Sequence, residues 1–305
     1  MACNMSNGLK SVSRALFRRY LSKFPLRDGK AFLYERLHPG LMPEERLIAV
    51  TLDKGFRMRL DLADAEQRKV YFFGHYHERY EAALVAKVLD PGEVFWDVGA
   101  NVGYFSLVAA ARVGETGQVL AFEPGAAALA RLEENVSLNP SQKIEIYNLA
   151  VADRDGEATL YRAEDIADSS ASLFAAAAGA AAGEVCRTVA LDSLLESAHL
   201  TPPDFIKLDV EGAELQALQG AAGILADSRP LLLVEMEDKN LAAAGASKGA
   251  IQAFLQDYGY RPAHLRKGRW LRLDDVKETR GRNIFWFDPE RPQNREKAGR
   301  VLDLG

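Results

Sequence analysis

Four acids and two glycines stand where chemistry could be done. The stretch "FWDVGANVGYFS", from Phe95 to Ser106, is apolar until Asp97; Gly99 and Gly103 then frame Asn101 before a helix-like pattern begins. In an open α/β sheet, ligands bind beyond the carboxyl ends of strands, and glycines there let the backbone approach a ligand closely. Glu123 ends the next strand, "AFEP", 20 residues past Gly103. A carboxylate at that place can accept both hydroxyl hydrogens of a ribose. The second set lies in "DFIKLDVEGAEL", where Lys207 and Asp209 share one face of a strand. That strand reads as central and buried, where an unpaired charge is costly. Asp209 is therefore either a structural partner of Lys207 or a group that takes a substrate proton or ligates a metal. Glu211 follows it in the turn, and Glu214 falls in the first turn of the next helix, where the helix dipole favours an acid.

The intervals narrow the cofactor. A dinucleotide cradle would show GxGxxG with a helix N-terminus aimed at a pyrophosphate. Here the pair is Gly99-xxx-Gly103, and Asp97 just before it would repel a pyrophosphate. That carboxylate suits the ammonium end of a methionine moiety, directly or through water. Acid, glycine pair and ribose acid together point to S-adenosyl-L-methionine. Packing alone would account for the small residues but not for Asp97 and Glu123. A nicotinamide-dependent oxidoreductase is the rival that the missing GxGxxG disfavours.

These residues need strands to carry them, and the rhythm after Val94 supplies them. "VFWDVG", "QVLAFEP", "IEIYNLAV", "DFIKLDV" and "PLLLVEM" are nearly continuous apolar runs, each followed by a helical pattern. Such alternation predicts a parallel sheet covered on both faces by helices. "YRPAHLR" and "NIFWFDP" read as an antiparallel pair at its edge. Between the third and fourth strands lies an insertion, with a hairpin expected at Asp153-Arg154-Asp155-Gly156 and an alanine-rich segment, 175–183, as a short helix or a loop. Upstream, "LIAVTL" and "FRMRLDL" predict a hairpin joined at Asp53-Lys54-Gly55, "RKVYFFG" another strand, and 78–89 a helix stopped by "DPGE". His75 and His77 in "GHYHER" would alternate on one strand face and could ligate a metal, although no third ligand stands nearby.

The first segment has a different character. Residues 1–36 hold eight Lys or Arg against two acids, a net +6, in a chain whose net charge is −5. Leu9, Val12, Leu16, Tyr20 and Phe24 recur at helical spacing with basic residues mostly between them, a basic amphipathic helix. The simpler expectation is a helix docked by that stripe with its charges in water. The other is peripheral membrane contact through residues 9–24.

Composition sets outer limits. Hydrophobic residues make up 48 % and charged residues 27 %, as in globular proteins. The negative net charge and the lack of a nucleic-acid motif argue against a nucleic-acid partner. Cys3 and Cys186 make neither a disulfide framework nor a metal knuckle, which fits a reducing cytoplasm. No run approaches the ~20 apolar residues of a membrane span, and no signal-peptide core is expected. The predicted organisation is an N-terminal helix and hairpin over 1–70, a catalytic domain over 71–288 and a polar tail over 289–305.

With "DVGANVGYFSL", "AFEP", "NLAVADRDG", "TVALDSLL" and "DFIKLDVEGAELQALQGA…PLLLVEM" in order, the chain resembles the FkbM family of methyltransferases over roughly Tyr71 to Phe287. The resemblance implies a class I methyltransferase fold (Rossmann-like), with a seven-stranded, mostly parallel sheet whose last strand is antiparallel. It implies methylation, dependent on S-adenosylmethionine, of a hydroxyl on a sugar, glycolipid or natural product. It would set Asp97, Gly99, Asn101 and Gly103 at the methionine end and Glu123 on the ribose. Glu78 would stand at the cleft mouth, Asp209 and Glu211 would face the methyl group, and Asp153 would reach towards adenine unless it serves the turn. The family's serine segment corresponds to Ser169, Ser170 and Ser172, followed here by many alanines. No spacing demands a metal, though Asp209, Glu235 and Glu237 fall at the ends of adjacent strands. The rival from another class is a non-catalytic membrane- or partner-binding protein that keeps the fold.

Overall fold

The computed structural model describes residues 2–24, 29–52, 55–76, 78–162, 171–174 and 183–302. They fall into two compact units, Met1–Arg79 and Tyr80–Gly305. The first holds helices α1 (Ala2–Lys23), α2 (Lys30–Leu41) and α3 (Ala65–Phe73) and a two-stranded sheet of β1 (Leu47–Thr51) and β2 (Arg57–Asp61). The predicted hairpin is present, antiparallel from Leu47 opposite Asp61 to Thr51 opposite Arg57; Asp53 and Lys54 of its turn lie outside the described residues.

Two expectations for this unit fail. "RKVYFFG" is the body of α3 rather than a strand. Asp64 caps it by accepting from the Gln67 amide, Gly74 ends it at φ 78°, and Val70, Tyr71 and Phe72 are buried. Caps and burial override the β preference of Val, Tyr and Phe. His75 therefore follows a helix, with Nδ1 2.9 Å from the Tyr76 carbonyl oxygen, and His77 lies outside the described residues. The docked face of α1 is also not the counted stripe. Phe17 and Leu21 are buried, Phe17 meeting Phe72 edge-on, while Leu9, Val12, Leu16 and Phe24 are exposed. Several basic residues are part of the dock. Arg18 Nε donates to the Tyr71 carbonyl at 2.8 Å, Arg14 Nε to Leu41 at 2.8 Å, and Lys30 Nζ to Leu21 and Phe24 at the end of α1.

The second unit is built on an eight-stranded sheet. In chain order its strands are β3 (Val94–Val98), β4 (Gln118–Phe122), β5 (Ile144–Tyr147), β10 (Phe205–Leu208), β11 (Leu231–Glu235), β12 (Arg261–Arg266), β13 (Arg269–Arg272) and β14 (Asn283–Phe287). Their spatial order is β13-β12-β14-β11-β10-β3-β4-β5. The five consecutive strands β11-β10-β3-β4-β5 are parallel, and β14 runs antiparallel between β11 and β12. The seven expected strands are all present; β13 adds an eighth by folding back on β12. Central strands are buried on both faces, and Trp96 and Trp286 are fully enclosed in the core, with Trp270 nearly so.

A second sheet holds β6 (Ala150–Val151), β7 (Gly156–Arg162), β8 (Ala171–Ser172) and β9 (Glu184–Val189), in the order β6-β9-β7-β8. The hairpin expected at Asp153–Gly156 is not formed, because β9 lies between β6 and β7. The Asp155 carboxylate fixes that arrangement by accepting from the Ala190 amide at 2.8 Å. The predicted third strand divides at Asn148, whose Nδ2 donates to the carbonyls of Glu123 and Pro124. Residues 175–182 of the alanine-rich segment lie outside the described residues. The expected polar tail is instead a helix, Pro292–Gly299, with proline in its first turn. It is held by Lys297 on Glu93, by Arg300 on Asp90 at 2.8 Å and by Asn294 on the Arg229 carbonyl. Its polarity concealed it, since its buried positions are Asn294, Lys297 and Ala298.

Candidate active site

Two turns at the carboxyl ends of neighbouring strands meet to form the site. After β3 the chain turns at Gly99 (φ 80°), Asn101 (φ 48°) and Gly103 (φ 86°), then enters helix Tyr104–Val113. After β10 it turns at Glu211 (φ 51°) and Gly212 (φ 111°), then enters helix Glu214–Gln219. The approach is close. A Cβ on Gly99 would sit 1.8 Å from the Asp209 carbonyl oxygen, and one on Gly103 would sit 2.6 Å from Leu132 Cδ1. Both positions also have the positive φ that glycine adopts without strain.

Beside these turns opens a cleft of about 720 Å³, part of it open to solvent. Its walls include Gly99, Asn101, Glu123, Asp209 and Glu211, and apolar Leu149, Val151, Leu160 and Leu173. Glu123 is nearly buried; its two carboxylate oxygens accept from the amides of Asn101 at 2.8 Å and Gly125 at 2.9 Å. The β3 turn and the acid after β4 are thus fixed to each other.

Asp97 is fully buried and is not part of the wall. Its Oδ2 accepts from the Ser106 hydroxyl at 2.5 Å, and its Oδ1 has no partner among the described residues. Burial pushes this carboxyl above its ordinary pKa, against the pull of the Lys207 charge and the Ser106 bond. Lys207 stands opposite Asp97 in the β3–β10 register. It is buried too, with Nζ 2.8 Å from Asp209 Oδ2 and 4.7 Å from the Phe105 ring centre.

Asp209 is therefore both a partner of Lys207 and part of the cleft wall. Burial raises its pKa, but the Lys207 charge, a hydrogen bond with Glu235 and the Arg282 charge together leave it below the usual carboxylate range. It is ionised at neutral pH, which makes it a good acceptor and orienting charge but a weak base. Glu211 is held by Asn240 Nδ2 on its carboxylate and by the Ser172 hydroxyl on its carbonyl at 2.7 Å. Asp209, Glu211 and Glu235 each offer an oxygen within 4.8 Å of the others, an arrangement that could hold a cation. Glu237, which the strand ends suggested, faces Arg282 at 3.5 Å instead.

Glu214 does what its helix position implies. Its Oε1 accepts from the Gly212 amide at 3.1 Å and more weakly from Val210, while its buried Oε2 has no partner among the described residues. Burial pushes its pKa to about 7.

Of the remaining expected site residues, Asp153 and Glu78 are not among those that line the cleft. Asp153 is exposed and pairs with Arg154 at 3.3 Å, away from the lining. Glu78 belongs to the first unit, one residue ahead of helix Arg79–Val88. Ser169 and Ser170 lie outside the described residues. Leu149, Leu160 and Leu173 escaped the sequence reading. The second sheet, in which β9 joins β6 to β7 and β7 carries β8, brings them to the cleft, and no local pattern announces it.

A mostly parallel sheet with one inserted antiparallel strand, a glycine turn after its first strand and an acid after its second defines the class I methyltransferase architecture. The chain belongs to the FkbM methyltransferase family, whose domain model ("Methyltransferase FkbM domain") matches residues 97–262, more than half its length. An alignment 208 residues long, covering 57% of this chain, is 29% identical to the AMB antimetabolite synthetase AmbE of Pseudomonas aeruginosa and covers 10% of that protein. A 143-residue stretch, 47% of this chain, is 28% identical to the hexuronic acid methyltransferase AglP of Haloferax volcanii and covers 55% of it. The chain thus spans about a tenth and about half the length of these two relatives. The crystal structure of an FkbM methyltransferase from Methylobacillus flagellatus KT is 15% identical, with a TM-score of 0.41 over 64% of this chain and 43% of that one.

Proposed function

We propose that this chain uses S-adenosyl-L-methionine to methylate a hydroxyl oxygen of a sugar, glycolipid or natural product. The observation that carries the reading is Glu123, a carboxylate anchored by two backbone amides in the wall of the same cleft as Asp209 and Glu211. The chain's residues fit such a cofactor. Gly99 and Gly103 leave room in the turn, Glu123 is set to receive a ribose diol, and Asp97, buried behind the wall with an unpartnered Oδ1, would reach an ammonium group through a bridging water. The leucines and Val151 offer an apolar wall to a purine.

The cofactor, when bound, supplies a methyl group already activated by its sulfonium. Asp209 accepts the hydrogen bond of the acceptor hydroxyl, orients its oxygen and takes its proton, which becomes strongly acidic as that oxygen gains the methyl, with Lys207 keeping the carboxylate charged. Glu211, clamped by Asn240 and Ser172, offers a second acceptor for a neighbouring hydroxyl. A polyhydroxylated acceptor matches two carboxylates side by side. The relative named as a hexuronic acid methyltransferase supports the sugar class.

Calorimetric titration with S-adenosylhomocysteine, beside NAD, tests the reading. Micromolar binding of S-adenosylhomocysteine alone, weakened at least about a hundredfold in Glu123→Ala by loss of charge-assisted hydrogen bonds, is expected. A folded protein that binds neither ligand would shift the weight to a non-catalytic role.

A further inference from the structure

We infer that the outward face of α1 is a docking surface for an anionic membrane leaflet. Leu9, Val12 and Leu16 are 71%, 57% and 64% exposed, and Phe24 at the end of the helix is also exposed. Three and four residues apart, the first three share one side of the helix, and Arg19 and Lys23, both exposed, continue the row from Val12 and Leu16. The opposite side, through Phe17 and Leu21, already packs within the first unit, where Arg14 and Arg18 bond backbone carbonyls. The helix therefore has two apolar faces, and the unit covers one of them.

Charge decides between occupants. An apolar stripe continued by basic side chains is the pattern of a helix lying in a lipid interface, the stems following the apolar surface and the charged heads reaching the headgroups. Residues 1–36 carry +6 in a chain of net −5. A negative leaflet attracts that segment, whereas a neutral apolar partner would leave its charges unanswered. Apolar contact and charge act together, as stable peripheral binding requires. No helix among the described residues is long and apolar enough to cross a membrane, so the contact is with the surface.

The test is co-sedimentation of the full chain with vesicles of phosphatidylcholine alone and with about 30 % phosphatidylglycerol. Binding to the anionic vesicles only is expected, and it should fall steeply on raising the salt. Val12→Asp with Leu16→Asp should lower the partition coefficient at least about tenfold. Arg19→Ser with Lys23→Ser should lower it roughly fivefold per charge removed. These positions are exposed, so each variant should keep a cooperative unfolding transition, which certifies that it is folded. Absence of sedimentation with anionic vesicles would overturn the inference, as would binding that the Asp variants leave intact. A lipid-free dimer dissolved by those variants would also overturn it, by making a second copy the occupant.

Discussion

The turns after β3 and β10 are built alike and loaded differently. Each pairs a positive-φ glycine with a positive-φ polar residue, Gly99 with Asn101 and Gly212 with Glu211, and each leads into a helix. Each is held by a carboxylate that collects two backbone amides, Glu123 in one and Glu214 in the other. Beyond that they diverge. The β3 turn offers the cleft backbone, Asn101 and the one anchored acid. The β10 turn gathers Lys207, Asp209, Glu211 and Glu235. A sparsely charged cradle fits a cofactor that itself carries charge, while a charged one can orient an acceptor by its hydroxyls. In the proposed reaction the same backbone device serves two binding tasks.

Substitutions can break the pairing of the turns, beginning with the largest effect. Gly99→Ala forces a methyl into the Asp209 carbonyl at a strained φ and should destabilise the unit by about 4 kcal/mol or more in urea unfolding. A loss below about 1 kcal/mol would mean that the turns part readily. Asp209→Asn should lower turnover about a hundredfold or more, with S-adenosylhomocysteine affinity nearly unchanged. Equal losses in both would move Asp209 to the cofactor half. Because Lys207 and its neighbours hold this carboxyl below the usual range, its protonation should leave no inflection in the rate near neutral pH.

Glu214 sharpens the contrast from the side of stability. Its pKa rises from 4.5 in the unfolded chain to about 7 in the fold. Between those values the folded state holds the extra proton, so stability falls as pH rises, by up to about 3 kcal/mol once above pH 7. Glu214→Gln keeps the Oε1 acceptor and should remove that loss, which urea midpoints at pH 5 and pH 8 would reveal. A pH dependence equal to that of the parent would show that Glu214 titrates normally. The smallest effect is expected from Ser172→Ala. It frees the Glu211 carbonyl and should weaken acceptor KM by roughly 1 kcal/mol without changing cofactor affinity.

The two turns also differ in how far the sequence discloses them. Asp97, the glycine pair and Glu123 lie within a single βαβ unit, so their spacing is local and legible in the sequence. The β10 acids were visible, but their environment was not. Glu235 reaches Asp209 from the next strand, Asn240 reaches Glu211 across 29 residues and Ser172 across 39. The doubly covered strands were legible because burial on both faces makes them continuous apolar runs. The insertion of β9 between β6 and β7 was not, since pairing there depends on a strand on the far side of the alanine-rich segment. In α1 the period was right and the face was wrong. Phe17 and Leu21, each next in sequence to a counted residue but on another side of the helix, are the residues that dock.

The enclosure of Trp96, Trp270 and Trp286 has a practical consequence. These are the only tryptophans in the chain, and all three belong to Tyr80–Gly305. Indole emission therefore follows the melting of the methyltransferase unit alone, while far-ultraviolet dichroism also registers the helices of Met1–Arg79. Transitions that coincide in the two signals would mark a single cooperative molecule, and transitions that separate would give each unit its own melting curve from one unlabelled sample.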